Sequence, residues 1–176
     1  MQMERQKKQE TKHSSPKWLQ EMIEILKTFA IVFVITSLVF GFVIGPGNVK
    51  GDSMSPTLHD KEFVLLWKLG TEYQTEDIVF LKWQEQEKTF VKRIIGTPGD
   101  KVEINHLGQV LLNDKLLEET YIITETYSPY GQAGMQIQLG EDEYFVLGDN
   151  RTNSSDSRQY GVVQEEGIQG KVIPIF

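Results

Sequence analysis

KTFVKRIIGTPGDKVEI, residues 88–104, holds two strand-like runs, Lys88–Ile95 and Lys101–Ile104, parted by a Gly-Thr-Pro-Gly-Asp turn signal. Short apolar or alternating runs bounded by Gly, Pro, Asn or Asp mark strands. The same punctuation recurs on both sides. It places further candidate strands at Glu62–Lys68, Asp77–Trp83, Gln109–Leu112, Met135–Leu139, Tyr144–Leu147 and Gly170–Ile175. With Asn105-His106-Leu107-Gly108 and Asn113-Asp114 as turns, the pattern predicts a mainly β domain built on a twisted antiparallel β-sheet rather than an α/β one. The polar, turn-rich stretch at about 105–140 reads as a small insertion between two parts of one core, with His106 a solvated loop residue.

Upstream the periodicity changes. FAIVFVITSLVFGFVI, Phe29–Ile44, is almost wholly apolar, and no charged residue occurs from Thr28 to Val49. A hydrocarbon core of roughly 30 Å needs about 20 helical residues, and Gly45-Pro46-Gly47 would break a helix. A buried core helix and a cleaved secretory signal are the alternatives. An uncharged run of this length is rare in soluble folds, and it is long for a cleaved signal; Gly45 and Gly47 also differ from an Ala-x-Ala site. An uncleaved signal-anchor is therefore expected, dividing the chain into a segment 1–27, one N-terminal transmembrane helix over 28–45 and a domain over 46–176. Arg5, Lys7, Lys8, Lys12, Lys17 and Lys27 precede the span, so the positive-inside rule puts 1–27 in the cytoplasm and 46–176 outside. Trp18 and the pattern WLQEMIEIL suggest a helix that begins before the membrane as an amphipathic segment. Residues 1–17 are polar and read as disordered.

A chain of 176 residues accommodates one domain with its own core and one accessory segment. The absence of cysteine excludes thiol catalysis, cysteine-ligated zinc and disulfides. The three histidines, His13, His59 and His106, are too widely spaced to suggest a metal site. The net charge of −7 is uneven: residues 1–27 carry six Lys/Arg against four acids, which leaves twelve against twenty-one for the remainder. Such an acidic portion argues against nucleic acid as a partner.

Three segments concentrate reactive groups. In Gly51-Asp52-Ser53-Met54-Ser55-Pro56-Thr57-Leu58, Ser53 sits near a glycine and before a Pro-containing turn, as suits an exposed nucleophile, although an ordinary turn or N-cap reads equally simply. A strand over Phe90–Ile94 would put Phe90, Lys92 and Ile94 on one face, where desolvation would lower the lysine pKa and allow a neutral amine to act as general base; a solvated edge lysine is the bland alternative. The third segment, Gly148–Arg158, follows an apolar strand and is dense in hydrogen-bonding groups, so it is either a long polar turn or a loop whose Asp and Arg residues pair while a hydroxyl orients a nearby amine.

Together these segments resemble type I signal peptidases: Ser-Met-x-Pro-Thr at Ser53–Thr57, Lys-Arg-x-x-Gly-x-Pro-Gly-Asp at Lys92–Asp100, and Gly-Asp-Asn-Arg-x-x-Ser-x-Asp-Ser-Arg at Gly148–Arg158. The order of the motifs and the preceding anchor match as well, and the short external domain is similar to the Gram-positive branch. The resemblance implies a β fold of signal-peptidase or LexA-like type and a Ser/Lys dyad peptidase that removes signal peptides from exported preproteins after Ala-x-Ala-like sequences. It implies Ser53 as nucleophile, Lys92 as general base, Ser154 as a hydrogen-bond partner that holds Lys92, and Asp156 with Arg158 as a structural ion pair. Arg93, Asp149 and Arg151 match motif positions and are expected to act as scaffolding. An extended substrate would lie between Gly47–Ser53 and Phe90–Lys92, with Val49, Met54, Phe90 and Val91 as pocket walls. Implied partners are signal peptides of secreted preproteins, membrane lipid and the protein export machinery; no metal or cofactor is implied.

One departure from the family pattern, one alternative triad and one rival family bear on this resemblance. Some relatives place a serine two residues before the nucleophile, where this chain has Gly51, so a backbone amide or water is expected to supply the missing oxyanion donor. His59 with Asp60 suggests a Ser/His/Asp triad, but His59 follows Ser53 so closely that a turn role is simpler. A self-cleaving LexA-like repressor domain shares the dyad, yet the apolar run and the lack of an apparent DNA-binding domain point away from it.

Overall fold

The computed structural model of the chain describes residues 16–70, 72–127 and 134–173. Of the sequence expectations, residues 1–15 of the segment 1–17 read as disordered, residues 128–133 of the expected insertion and the last residues of the strand expected at Gly170–Ile175 lie outside these. Helix α1, Lys17–Leu38, begins after Pro16, whose fixed φ suits a helix start, and is prolonged by a π-helical turn over Val39–Val43. Together they make 27 residues with no buried side chain, and with an 18-residue window of mean hydropathy 2.2 they are long and apolar enough to cross a membrane. At 1.5 Å per residue that is about 40 Å. The helix thus starts eleven residues before Thr28, as the pattern around Trp18 suggested, and ends at Val43, two residues short of the boundary drawn at 45. The chain to Val39 is one compact unit and the chain from Phe40 is another.

The second unit is mainly β and wholly antiparallel in its pairing. Its larger sheet has seven strands. Edge strand β1, Ile44–Asn48, pairs with β2, Phe63–Trp67, in the register Ile44↔Trp67 to Asn48↔Phe63. The order continues through β11, Ile168–Ile173, then β3, Ile78–Leu81, β4, Phe90–Gly96, β9, Glu143–Leu147, and β10, Val163–Gln164. A smaller sheet runs β7, Lys115–Leu116, β6, Val110–Leu112, β5, Lys101–Ile104, and β8, Met135–Gln138. The stretch expected as an insertion at about 105–140 contributes three strands to a four-stranded sheet whose other strand, β5, lies before its expected start.

All eight expected strands are present, most with trimmed ends, and Lys101–Ile104 matches to the residue. The strand expected at Gly170 begins earlier, at Ile168, because Gly170 lies in an irregularity of the β11–β3 register and continues the strand instead of starting it. Three strands escape sequence reading. β7 and β10 have only two residues each, and β1 is Ile-Gly-Pro-Gly-Asn, a composition that reads as a turn. Pro46 is tolerated because β1 is an edge strand. Glycine is needed at 47, where an added Cβ would meet the Phe80 ring at 2.8 Å. That contact joins β1 to β3 across two intervening strands, so the sheet is curled.

The core explains why the central strands are continuously apolar. Alternate residues of β9 feed different clusters: Tyr144 and Val146 pack with Val79, Leu81 and Ile94, whereas Phe145 and Leu147 pack with Ile95, Val102 and Ile104 of the smaller sheet's side. A third cluster gathers Met54, Leu58, Val64, Phe80 and Val91. Because both faces of β9 are covered, truncation is costly on either. Phe145→Ala, at a fully buried position, is expected to destabilise the domain by about 3–5 kcal/mol. Denaturant unfolding should show a lowered midpoint at unchanged slope, and a loss under about 1 kcal/mol would contradict the packing described.

Candidate active site

Ser53 stands in the loop that joins β1 to β2. The neck of that loop is closed by Val49 N–H donating to Glu62 O at 2.9 Å and Lys61 N–H donating to Val49 O at 2.8 Å. Met54 and Leu58 anchor it in the core. Gly51 turns the chain through a left-handed conformation, φ 80°, and its N–H donates to Asp60 Oδ1 at 2.7 Å. On the far side Asn150 clamps the nucleophile segment, its N–H donating to Ser53 O at 3.0 Å and its Nδ2 to Asp52 O at 3.2 Å. The Ser53 side chain is left half-buried.

Lys92 comes from β4, where strand alternation puts it on the face of Phe90 and Ile94, and it is only 2% exposed. Its Nζ donates to Ser53 Oγ at 2.7 Å and to Val91 O at 2.9 Å, and lies 5.9 Å from the centre of the Phe90 ring. Burial lowers its pKa from 10.5 to about 8; the charges of Asp156 and Asp149 oppose that shift, and Arg158 adds to it. At this value a useful fraction of the amine is neutral near neutral pH, so it can take a proton from a hydroxyl in contact with it.

The loop after β9 supplies the surrounding charges. Asp156 receives Arg158 Nε and Nη2, each at 2.8 Å, and caps helix α2, Ser157–Tyr160. Its Oδ2 also accepts from Gly148 N–H at 3.1 Å. Arg93, beside Lys92 on β4, points the other way and grips both oxygens of Asp149 at 2.8 and 2.6 Å. Thr57, from the nucleophile loop, donates to the same carboxylate at 2.5 Å. Arg151 Nε donates to Gly148 O at 3.0 Å, and its Nη groups bind Glu119 and Thr126.

Ser53 and Lys92 are in contact, and Asp156 and Arg158 are paired. The bond expected from Ser154 to Lys92 is not made: Ser154 Oγ is buried without a hydrogen-bond partner. It packs instead against Gly148, where an added Cβ would also come within 2.6 Å of Ser53 O. His59 is exposed, and its backbone N–H donates to Glu62 Oε2 at 2.8 Å. Asp60 serves the nucleophile loop through Gly51, a role that sequence reading missed. It also missed Glu119 and Thr126, which meet Arg151 from outside the motifs.

A groove of about 1240 Å³ is lined by Gly47, Asn48, Gly51, Phe80, Phe90 and Val91 among others, the last two preceding Lys92 in β4 and Gly51 lying two residues before Ser53. Two strand edges face open space along it. β9 pairs with β4 only from Arg93 onward, leaving the corresponding side of Phe90–Lys92 unpaired, and β1 is the edge of the large sheet. Of the four residues expected to form pocket walls, Phe90 and Val91 line the groove. Val49 and Met54 do not; both are buried in the core, where Met54 pins the nucleophile loop.

The family model described as Signal peptidase, peptidase S26, matches residues 22–176. Signal peptidase IB of Staphylococcus aureus strain Mu50 is 33% identical over 171 residues, covering 87% of this chain and 88% of the relative. Signal peptidase I S of Bacillus subtilis strain 168 is 34% identical over 169 residues, covering 86% of each. A crystal structure of a signal peptidase I from Enterococcus faecalis V583 superposes with a TM-score of 0.50 at 28% identity, covering 58% of this chain and 98% of that one.

The environment of Lys92 makes a direct spectroscopic prediction. With lysine side chains labelled at Cε, one signal should titrate near the pH of about 8 set by the lowered pKa and vanish in Lys92→Met. A Lys92 signal that titrates at the ordinary value near 10.5 would contradict the desolvation described.

Proposed function

The chain belongs to the signal peptidase, peptidase S26, family, and from that membership we propose a membrane-bound endopeptidase that frees exported preproteins of their signal peptides by a Ser53/Lys92 dyad. As a member of the family it is a hydrolase that removes signal peptides. The observation that carries the finer reading is the 2.7 Å contact between Ser53 Oγ and the buried Lys92 Nζ.

In the first half-reaction Ser53 Oγ attacks the scissile carbonyl while neutral Lys92 takes its proton. The resulting ammonium lies near Asp156 and Asp149 and can donate to Val91 O. It then delivers that proton to the departing amine, leaving the signal peptide as an ester on Ser53. Water attacks the ester, Lys92 takes the water's proton, and the proton returns to Ser53 as the acid leaves. The oxyanion would be met by the backbone N–H of Ser53, which has no acceptor among the described residues. Gly51 offers no hydroxyl, and its N–H is held by Asp60. One well-placed donor is worth about 3 kcal/mol to the transition state. The contacts that orient the lysine are assigned to Ser53 Oγ and Val91 O, since Ser154 Oγ makes no bond to it.

The substrate would add as an extended strand between β1 with its continuation to Gly51 and the unpaired side of Phe90–Lys92. Phe80, Phe90 and Val91 line the groove there, and their bulk would favour small side chains as in an Ala-x-Ala site. The apolar helix is assigned as the membrane anchor, with the basic segment 1–27 in the cytoplasm and the domain from 46 onward outside, meeting preproteins delivered by the export machinery beside lipid.

A precursor with an Ala-x-Ala site should be cut by the detergent-solubilised wild type, and cutting should fall about 10⁴-fold or more in Ser53→Ala and Lys92→Ala. Log kcat/KM should rise with pH and level off near 8, because only the deprotonated amine accepts the Ser53 proton. Cleavage by either folded variant, or an acid limb near 10.5, would overturn the dyad. Protease added outside sealed cells should digest the domain and spare residues 1–27; the reverse pattern would overturn the orientation.

A further inference from the structure

The carboxylates of the three motif segments do not answer all of their buried arginines, since Asp100 is taken by Thr97 and Asn113. Arg93, Arg151 and Arg158 are all buried, but Asp149 is taken by Arg93 and Asp156 by Arg158. Arg151 is met from outside the motifs, by the polar stretch that follows β7. Glu119, its side chain only 7% exposed, pairs with the Arg151 guanidinium through both oxygens, and Thr126 Oγ1 accepts from Arg151 Nη1. Tyr121 joins two of the arginines: its hydroxyl donates to Glu119 Oε1 at 3.1 Å while its ring lies 3.9 Å from the Arg93 guanidinium. The Tyr127 ring lies 4.5 Å from the Arg158 guanidinium. One segment, Leu117–Tyr127, thus touches all three.

We infer that Leu117–Tyr127 is a strap and that its Glu119 and Tyr121 are positioning residues of the peptidase site, acting on Ser53 through Arg151 and Arg93. The inference rests on the dyad reading above. Two routes lead from strap to nucleophile. Along the first, Glu119 fixes Arg151, whose Nε holds Gly148 O at 3.0 Å. Gly148 packs directly against Ser53 O, to which Asn150 N–H also donates at 3.0 Å. Along the second, Tyr121 covers Arg93, which grips Asp149, and Asp149 accepts from Thr57 four residues after the nucleophile. Glu119, Tyr121 and Thr126 do not line the groove, so loosening the strap should disturb the reacting groups more than substrate binding.

A purely structural support would not alter the titration of Lys92. The charged groups that face this amine are Asp156, Asp149 and Arg158, all on the loop the strap holds. If the loop shifts and water reaches Lys92, the largest influence, burial, weakens, and its pKa moves up toward the ordinary lysine value.

The test uses the full chain in detergent and an Ala-x-Ala precursor, with Glu119→Ala, Glu119→Gln and Tyr121→Leu compared by kcat, KM, the acid limb of kcat/KM and thermal melting. Ser53→Ala and Lys92→Ala run in parallel, and Glu118→Ala, an exposed neighbour, should behave as wild type. Glu119→Ala is expected to lose about tenfold or more in kcat with KM within about twofold, and its acid limb should move above 8. Glu119→Gln, which keeps the shape and one acceptor, should fall between it and wild type, and Tyr121→Leu should change in the same direction. If Glu119→Ala does not fold, the other two decide by the same criteria. Folded variants with wild-type kcat would overturn the inference, as would activity that tracks only the folded fraction with the acid limb unmoved. In either case inactive Ser53→Ala and Lys92→Ala would leave the dyad standing; activity in those two would instead remove the dyad, and the strap's role with it.

Discussion

Taking an ammonium out of water costs several kcal/mol, and a buried lysine reduces that cost by giving up its proton more readily. Lys92 is placed to be subject to that constraint. β4 lies between β3 and β9 in the large sheet, and its residues from Val91 to Gly96 are all buried. Phe90 and Ile94 flank the lysine on its own face, while Val91 turns into the cluster below the nucleophile loop. The polar route left to Nζ leads to Ser53 and to the carbonyl of Val91. Shielding on both faces of β4 therefore shapes the amine's chemistry as directly as its contact with Ser53 does.

The nearby carboxylates pull the other way, and the ion pairs restrain them. Asp149 and Asp156 alone would favour the ammonium. Each is held by an arginine in a two-point grip, and Arg158 itself lowers the lysine pKa. Buried pairs of this kind contribute little net stability, because desolvation offsets much of their attraction, yet losing one partner costs about 3–5 kcal/mol. Their effect is to fix position. Arg93–Asp149 ties β4 to the loop after β9 and, through Thr57, to the loop carrying Ser53. Nucleophile and base come from segments 39 residues apart, and this ionic scaffold joins those segments through the third.

The sequence made the strands legible wherever a run was long enough to show its period and was closed by a turn residue, as at Lys101–Ile104. β1 was hidden because glycine and proline usually mark turns. Here Gly47 is required by the Phe80 ring, and Pro46 is allowed by an open edge, neither of which is visible without the fold. The contact between Ser53 and Lys92 was legible through motif resemblance. The position of Ser154 was not, because a hydroxyl's rotamer depends on its packing against Gly148. Val49 and Met54 are expected as pocket walls by analogy with the family's extended substrate, but both are buried in the core cluster beneath the nucleophile loop. Glu119 has no sequence signature, since a carboxylate that answers a buried arginine from 32 residues away leaves no periodic mark.

Open strand edges are usually a hazard, because unpaired N–H and C=O groups recruit other chains. The large sheet nevertheless leaves two of them beside the candidate site, at β1 and along Phe90–Lys92. The curl that brings them to one groove depends on the absence of a side chain at Gly47, which lets β1 close onto Phe80. On the proposed reading, the groups that would otherwise invite aggregation are reserved for an extended peptide, whose backbone they can bind whatever its sequence. Selectivity must then come from the groove walls. On the same reading, Phe80, Phe90 and Val91, which line the groove, would supply it by exclusion, without any specific contact to the substrate.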